Sequence, residues 1–265
     1  MKKFSRPCAL ALFCLAASAI SVSCLAQSAF NGTWRTDAAK TKFSTKPNVS
    51  YISQGWYHCV SCNPAFDVAA DGQSHPVAGH PYDAITITIV DPNSISVSTS
   101  KDGKTVSEQT RTVSSDGKTL TVKTISHPKD GSPALTFTTV AKRDGIAPSG
   151  VHATSGNWIL QSQTGSEAAY TVTYKVDGDQ IAMTQPDGES YTAKLDGTDA
   201  PYNGAYGFDT VSVKKIGANA IEEIDKRGGN VIDDAKLTVS GNTMTVVSTD
   251  VPTGRTSTRI AHKTK

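Results

Sequence analysis

The sequence predicts an all-β protein made of two tandem antiparallel domains, each a meander or up-and-down β-barrel-like unit, that are related by internal duplication. The first observation behind this prediction is repetition, because three phrases of the first half recur in the second half at a nearly constant offset. The matched segments are Gly32–Trp34 with Gly156–Trp158, Asp71–Asp83 with Asp196–Asp209, and Ser114–Val122 with Val239–Val246. Features that both halves share are expected to specify the fold, whereas features of one half alone are candidates for function.

The second observation is the spacing of apolar residues and turn formers. Apolar residues occupy every second position in the runs Ile85–Ile89, Tyr170–Val176 and Val211–Val213. Such alternation is typical of antiparallel strands with one buried and one wet face. Pairs such as Asp177-Gly178 and Gly241-Asn242 separate the runs and favour tight hairpins. Because a meander of many short strands leaves unpaired edges, we expect each half to form a closed or nearly closed barrel.

The chain divides into three predicted parts. Residues 1–26 are predicted to be a signal peptide, residues 27–145 the first β repeat with a Cys-x-x-Cys hairpin, and residues 146–265 the second β repeat. The segment 143–156 is rich in Gly, Ser and Pro and poor in apolar pattern, so we interpret it as the linker between the repeats. The repeats could close separately or join in one larger sheet.

The first residues have the pattern of an export signal. Basic residues at the start precede the apolar stretch Ala9–Val22, and Ala26 ends it, which favours cleavage before Gln27. The alternative is a lipoprotein acylated at Cys24. No later stretch of the sequence is long and apolar enough to predict a transmembrane helix. We therefore expect an exported protein, periplasmic or extracellular.

The charge of the mature chain argues against some partners. Removing the signal peptide removes three positive charges and no negative ones, which changes the formal net charge from +2 to −1. Lysine and aspartate are interspersed along the rest of the chain. A nearly neutral chain of this kind lacks the clustered positive charge that binds nucleic acid or an anionic membrane surface.

Several phrases of the sequence carry a resemblance to a known group. Phe30–Trp34, Lys40–Phe43, Tyr191–Tyr202 and Val211–Ile216 resemble a widespread group of exported bacterial proteins of unknown function with duplicated β-rich repeats. This resemblance implies export and a β-rich fold, and it implies no activity, ligand or catalytic residue. The Gly-x-Trp phrase that begins each half is similar to the lipocalin signature, in which the tryptophan closes one end of the barrel. The alternative is a tryptophan that simply closes a core after a glycine turn.

A group of cysteines and histidines occurs in the first half only. Cys59, Cys62, His75 and His80 have a spacing that formally fits a zinc site, and thiolate and imidazole also suit copper. A DNA-binding finger is disfavoured, because the segment is not basic and follows a hairpin pattern. Three interpretations stay open: a disulfide between the cysteines, a metal site completed by His75 with His58 or His80, and redox exchange. Beyond this conditional zinc or copper site, no cofactor is expected.

Aromatic residues flank the cysteine hairpin and fill the matching loop of the second half. They could line an apolar ligand site at the mouths of the barrels, or they could cap the cores. The residues concerned are Trp56, Tyr57, Tyr82, Tyr202, Tyr206 and Phe208.

Motifs for catalysis are absent from the sequence. It contains no Gly-x-Ser-x-Gly elbow, phosphate loop, His-Glu-x-x-His or nucleotide-binding glycine fingerprint. The acid pairs Glu222-Glu223 and Asp233-Asp234 lie within strand patterns, where adjacent residues point to opposite faces, and we interpret them as a solvated face. The leading hypothesis is a non-enzymatic exported protein that binds a small apolar ligand or an envelope component. The alternatives are a metal-handling or redox protein that uses the cysteine and histidine group, and a hydrolase with an unrecognised site.

Overall fold

The computed structural model describes residues 28–264. The predicted signal peptide and Cys24 lie outside these residues. The described chain forms twenty-one strands and two short 3-10 helices, Ala38–Lys40 and Glu167–Tyr170. The strands are β1 (Gly32–Thr36), β2 (Lys42–Phe43), β3 (Asn48–Ser53), β4 (Trp56–Cys59), β5 (Phe66–Ala69), β6 (Ser74–Pro76), β7 (Ala84–Asp91), β8 (Ser94–Lys101), β9 (Lys104–Val113), β10 (Thr119–Ser126), β11 (Leu135–Asp144), β12 (Gly156–Gly165), β13 (Thr171–Asp177), β14 (Gln180–Thr184), β15 (Ser190–Lys194), β16 (Asp196–Asn203), β17 (Thr210–Gly217), β18 (Ala220–Arg227), β19 (Asn230–Ser240), β20 (Thr243–Asp250) and β21 (Arg255–Lys263).

These strands form two separate antiparallel sheets, as the alternation and the repeat predict. The first sheet contains β3 to β12 and has β5 and β6 at its two edges; we call it the first barrel. The second sheet contains β1, β2 and β13 to β21; we call it the second barrel. It closes on itself because β1 pairs with β13 on one side and with β21 on the other. The predicted fold class, all-β with two tandem barrel-like units, is confirmed.

The two repeats exchange their first strands. Trp34 on β1 pairs with Val172 and Lys263 of the second barrel, while Trp158 on β12 pairs with Asn48 and Arg143 of the first barrel. This differs from the predicted division between residues 145 and 146. The repeat in the sequence identifies equivalent strands, but either copy of the first strand has the same register and apolar pattern for closing either barrel. Sequence similarity therefore cannot decide the pairing.

The chain crosses between the barrels at two places that differ from the predicted linker. Residues 44–47 connect β2 in the second barrel to β3 in the first, and residues 166–170, which include the second 3-10 helix, connect β12 to β13. The segment 143–156 instead joins β11 to its own neighbour β12 within the first barrel. Its Gly and Pro content matches a long hairpin connection as well as a linker, which explains the misinterpretation.

Period-two alternation directs one face of each strand into its barrel. In the second barrel this gives one continuous core that includes the fully buried Trp34, Ile181, Val211 and Val213. In the first barrel the interior forms two clusters, one around Ile87 and one around Trp158. The predicted strand pattern thus accounts for the residues that fill the cores.

Candidate functional site

The Gly-x-Trp phrase has the same structure in both barrels. The indole N–H of Trp34 donates to the Phe30 carbonyl at 2.8 Å, and that of Trp158 donates to the Thr154 carbonyl at 2.9 Å. Each tryptophan also carries a cation above its ring, Lys263 at 4.9 Å and Arg143 at 4.0 Å from the ring centroids. Because both halves share this arrangement, we assign it to the fold.

The backbone conformation explains why each Gly-x-Trp phrase begins with glycine. Gly32 and Gly156 have φ of 126° and 127°, a region that residues with a Cβ rarely adopt. A Cβ on Gly156 would lie 2.5 Å from Nη1 of Arg143, and one on Gly32 would lie 3.3 Å from the Lys263 side chain. The glycine therefore gives the cation access to the tryptophan ring.

The cysteine pair forms the predicted disulfide at a hairpin turn. Cys59 ends β4 and Cys62 lies in the turn before β5, with a Cα–Cα distance of 5.4 Å. Cys59 is buried, and Cys62 and Phe66 pack against the same core cluster. The bridge ties a local turn to the core of the first barrel.

The histidines near this hairpin contact different partners. His75 Nε2 lies 2.8 Å from Asp71 Oδ1, and His58 Nδ1 lies 2.7 Å from Asp67 Oδ1. His80 packs on the cysteine hairpin, with its ring centroid 5.0 Å from that of Phe66. Burial, with a contribution from the charge of Arg227, lowers the pKa of His80.

The hairpin and the 75–80 loop therefore meet, as a metal site would require. The two sulfur atoms are bonded to each other, however, and two of the histidines face carboxylates. Among residues 28–264, no group of three or more His, Cys, Asp or Glu side chains is arranged to hold a metal ion.

A large cavity occupies the interior of the second barrel, with a volume of about 490 Å³. This volume falls within the range of small-molecule sites, roughly 300–1,000 Å³. Phe137 and Gln163 of the first barrel form part of its wall, so the start of β11 and the end of β12 border it. One part of the lining is apolar and consists of Val172, Met183, Leu237, Met244 and Val246.

The other part of the lining is acidic. Glu223 and Asp225 lie two residues apart on β18, on the same face, and Asp225 is paired directly with Asp233 on β19. Side chains in directly paired positions have Cβ atoms about 4.5–5.5 Å apart. Glu189, from the turn before β15, lines the same cavity. Four carboxyl groups thus line one cavity.

Most of these carboxyl groups have hydrogen-bond donors. Tyr191 donates to Glu223 at 2.6 Å, and Tyr202 donates to Glu189 at 3.0 Å. The Ser248 hydroxyl lies 2.8 and 2.9 Å from the two oxygens of Asp233. Asp225 differs from the others: its relative exposure is 8%, and within the described residues its Oδ1 contacts no hydrogen-bond donor.

Burial and mutual repulsion raise the pKa values of these acids. Burial is the main cause for Asp225, and with the negative charges of Glu223 and Asp233 it raises the pKa to about 8. Burial likewise raises the pKa of Glu189, Glu223 and Asp233. The guanidinium of Arg259, which also lines the cavity, opposes this increase.

Glu223 keeps partial accessibility to solvent although protein atoms surround it, because its side chain faces the cavity. Its accessible area therefore belongs to the wall of the cavity and does not indicate a position on the outer surface of the barrel. The high pKa agrees with this location.

The acidic cluster corrects the interpretation of the acid pairs as a solvated face. Asp234 is exposed as expected, but Glu223 and Asp233 line the cavity. A β-bulge between Asp225 and Lys226 inserts Ile232 as an extra residue of β19 and brings Asp233 opposite Asp225. A regular hairpin around Gly228-Gly229 would have placed Ile232 there. The sequence signal that could have identified the acidic cluster was Glu223-x-Asp225, because alternation along a strand puts these two residues on one face.

The aromatic candidates have different environments. Tyr202 and Phe208 line the cavity of the second barrel. Tyr206 lies beneath Lys129 of the first barrel, with Nζ 6.0 Å from the ring centroid. Tyr57 is buried and accepts a hydrogen bond from Arg111 at 3.0 Å.

The other two aromatic candidates lie near the cysteine hairpin. Trp56 is half exposed, and Tyr82 stacks on His80 with the ring centroids 5.2 Å apart. The six aromatic residues therefore do not form one site, and two of them belong to the cavity.

Comparisons of the chain with protein-family models, with curated proteins and with solved structures found no significant match. Within residues 28–264, no helix has the length and apolar character needed to cross a membrane. The geometry of the cavity is therefore the basis for a functional proposal.

Proposed function

We propose that this chain is a non-enzymatic binding protein that holds a small, largely apolar molecule in the cavity of the second barrel. The observation that carries the proposal is the cavity of about 490 Å³ with one apolar wall and a few convergent polar groups. This combination is typical of small-molecule sites. The absence of catalytic motifs from the sequence supports binding without turnover.

The two barrels have different parts in this proposal. The second barrel holds the ligand, and the first barrel contributes Phe137 and Gln163 to the cavity wall. The pattern of the first 26 residues supports action outside the cytoplasm, in the periplasm or the surrounding medium. An envelope component of suitable size would be one source of such a ligand.

A neutral fluorescent probe tests the proposal. We expect N-phenyl-1-naphthylamine to bind the mature chain saturably at one site, with increased fluorescence in the apolar environment. Ala235→Trp should abolish this binding, because Ala235 is buried and lines the cavity, so the larger side chain would occupy it. The matched control is Val247→Trp on neighbouring β20, where the side chain is exposed.

Both variants are first checked for retained β structure by circular dichroism. Probe binding that is not saturable, or that persists unchanged in folded Ala235→Trp, would contradict the proposed function. A second readout is the melting temperature, which a ligand that binds only the folded state must raise.

A further inference from the structure

The acidic cluster within the cavity carries information about the ligand's charge. Asp225 is more than nine-tenths buried, lines the cavity and has an Oδ1 without a hydrogen-bond donor among the described residues. Leaving a buried polar group unsatisfied costs free energy, and the cost is greater for a charged group. The fold retains this carboxyl beside Glu223 and Asp233, whose own donors are Tyr191 and Ser248. A donor supplied by a bound molecule would satisfy it.

The charges around Asp225 indicate which kind of hydrogen-bond donor a bound molecule would supply. Glu223 and Asp225 face the space from β18, Asp233 from β19 and Glu189 from the turn before β15, while Arg259 from β21 supplies a positive charge. The other ionisable groups that line this space are Tyr170, Tyr174 and Tyr202, and Tyr191 lies behind Glu223 as its donor; burial raises the pKa values of all four tyrosines. A cation in the space would stabilise the ionised forms of these acids, whereas an anion would add to their mutual repulsion, so the space favours a cation.

The choice between a metal ion and an organic cation follows from the rest of the lining. Within the described chain no group of acids is arranged to hold a metal ion. The same cavity is also lined by apolar side chains such as Leu237, Met244 and Val246, and a bare ion would leave these without a partner. A primary ammonium group has three N–H donors, and a hydrocarbon body attached to it would cover these side chains.

We infer that the second barrel selects a cationic amphipathic ligand, an alkyl or aryl amine whose ammonium group donates to Asp225 between Glu223 and Asp233 while its apolar part contacts Leu237 and Met244. This inference rests on the proposed function, because it names the chemical class of ligand for the same cavity. Binding would ionise Asp225, so the complex would release a proton at neutral pH. Burial raises the pKa of the Asp225 carboxyl in the empty cavity, and a cation beside this carboxyl would lower the pKa again. Binding of the amine at neutral pH therefore removes the proton from Asp225.

Three ligands of equal chain length test the inference. Octylamine, 1-octanol and octanoate are used at pH 7.5 to displace N-phenyl-1-naphthylamine from the mature chain; an alkylamine is protonated at this pH, as lysine is. We expect octylamine to displace the probe at a concentration at least tenfold lower than 1-octanol, with octanoate the weakest. Calorimetry in two buffers of different ionisation enthalpy should show proton release with octylamine and none with 1-octanol.

Two variants locate the effect. Asp225→Asn should reduce the ratio of octylamine to 1-octanol affinity at least tenfold, because the charge that selects the ammonium group is lost. Asp234→Asn, which changes the exposed neighbour of Asp233 on the same strand, should leave this ratio unchanged.

The outcomes separate the two proposals. Saturable probe binding with equal displacement by octylamine and 1-octanol would overturn the amine inference and leave the proposed function intact. Displacement by CaCl₂ or MgCl₂ alone would assign the acids to a metal ion and overturn it as well. An unaltered ratio in Asp225→Asn would show that Asp225 does not select the ligand. Absence of probe binding would refute the proposed function itself, and the inference with it.

Discussion

Replacing Asp225 by Asn should make the unliganded protein more stable at neutral pH. The unfolded chain releases the proton of an aspartate near pH 4, whereas burial and the neighbouring acids raise the pKa of Asp225 in the folded protein to about 8. Between these values the folded protein binds more protons than the unfolded chain does. The free energy of unfolding therefore falls as the pH rises from about 4 to about 8, and this group adds no slope outside that window.

The magnitude follows from the width of the window. At pH 7 the span of roughly three pH units above the unfolded pKa corresponds to a cost on the order of 4 kcal/mol. Asparagine has nearly the same shape and no charge, so Asp225→Asn removes this cost. We expect a stabilisation on the order of 2–4 kcal/mol at pH 7.5 and less than about 1 kcal/mol at pH 4.

Urea unfolding of the mature chain, followed by tryptophan fluorescence at pH 4 and pH 7.5, measures the difference. The control Asp234→Asn changes an exposed carboxyl on the same strand and should alter stability by less than about 0.5 kcal/mol at either pH. A stabilisation by Asp225→Asn that is equal at both pH values would refute the reasoning. A loss of stability at pH 7.5 would show that the carboxylate is ionised and paired.

Two further variants test the barrels. Trp34→Ala should cost about 3–5 kcal/mol, as removal of a fully buried tryptophan does; hydrogen exchange should show the loss in the second barrel, and a loss confined to the first would contradict the strand exchange. Cys59→Ser should lower the free energy of unfolding by about 2 kcal/mol, because so short a disulfide loop constrains the unfolded chain little. Thermal unfolding measures this change, and a variant that fails to fold would show that the Cys59–Cys62 bridge holds more than its local turn.

The fold class was predictable because alternation and turn residues act locally. Runs such as Tyr170–Val176 specify a strand with one apolar face wherever they pair, and the repeat confirms the pattern twice. The choice of partner for β1 was not predictable, because Gly32–Trp34 and Gly156–Trp158 present nearly the same edge and face. Residues 44–47 and 166–170 carry the chain between the two barrels in the pairing that the structure shows.

The candidate site was predictable in part. The disulfide between Cys59 and Cys62 is one of the interpretations that the sequence left open, and Tyr202 and Phe208, which line the cavity, were candidates either for a ligand site or for caps of the core. The carboxyl cluster depends on the bulge at Asp225, which shifts the register of β18 against β19 by one residue. The pairing of Asp233 with Asp225 could not be read from the turn at Gly228-Gly229, although alternation along β19 places Asp233 on the same face as the buried Ala235 and Leu237.

The pairing of Trp34 with Lys263 has a consequence for the order in which the chain can fold. Residues 48–165, which contain all strands of the first barrel, are contiguous and can fold as soon as they are synthesised, since chains generally fold from the N-terminal side. Strand β1 emerges earlier still, yet its partner β13 follows the whole first barrel and its other partner β21 is the last strand of the described chain. Contacts so distant in sequence form slowly. The earliest strand of the chain must therefore wait until the whole first barrel and β13 have been made, and the second barrel with its cavity closes only when β21 arrives.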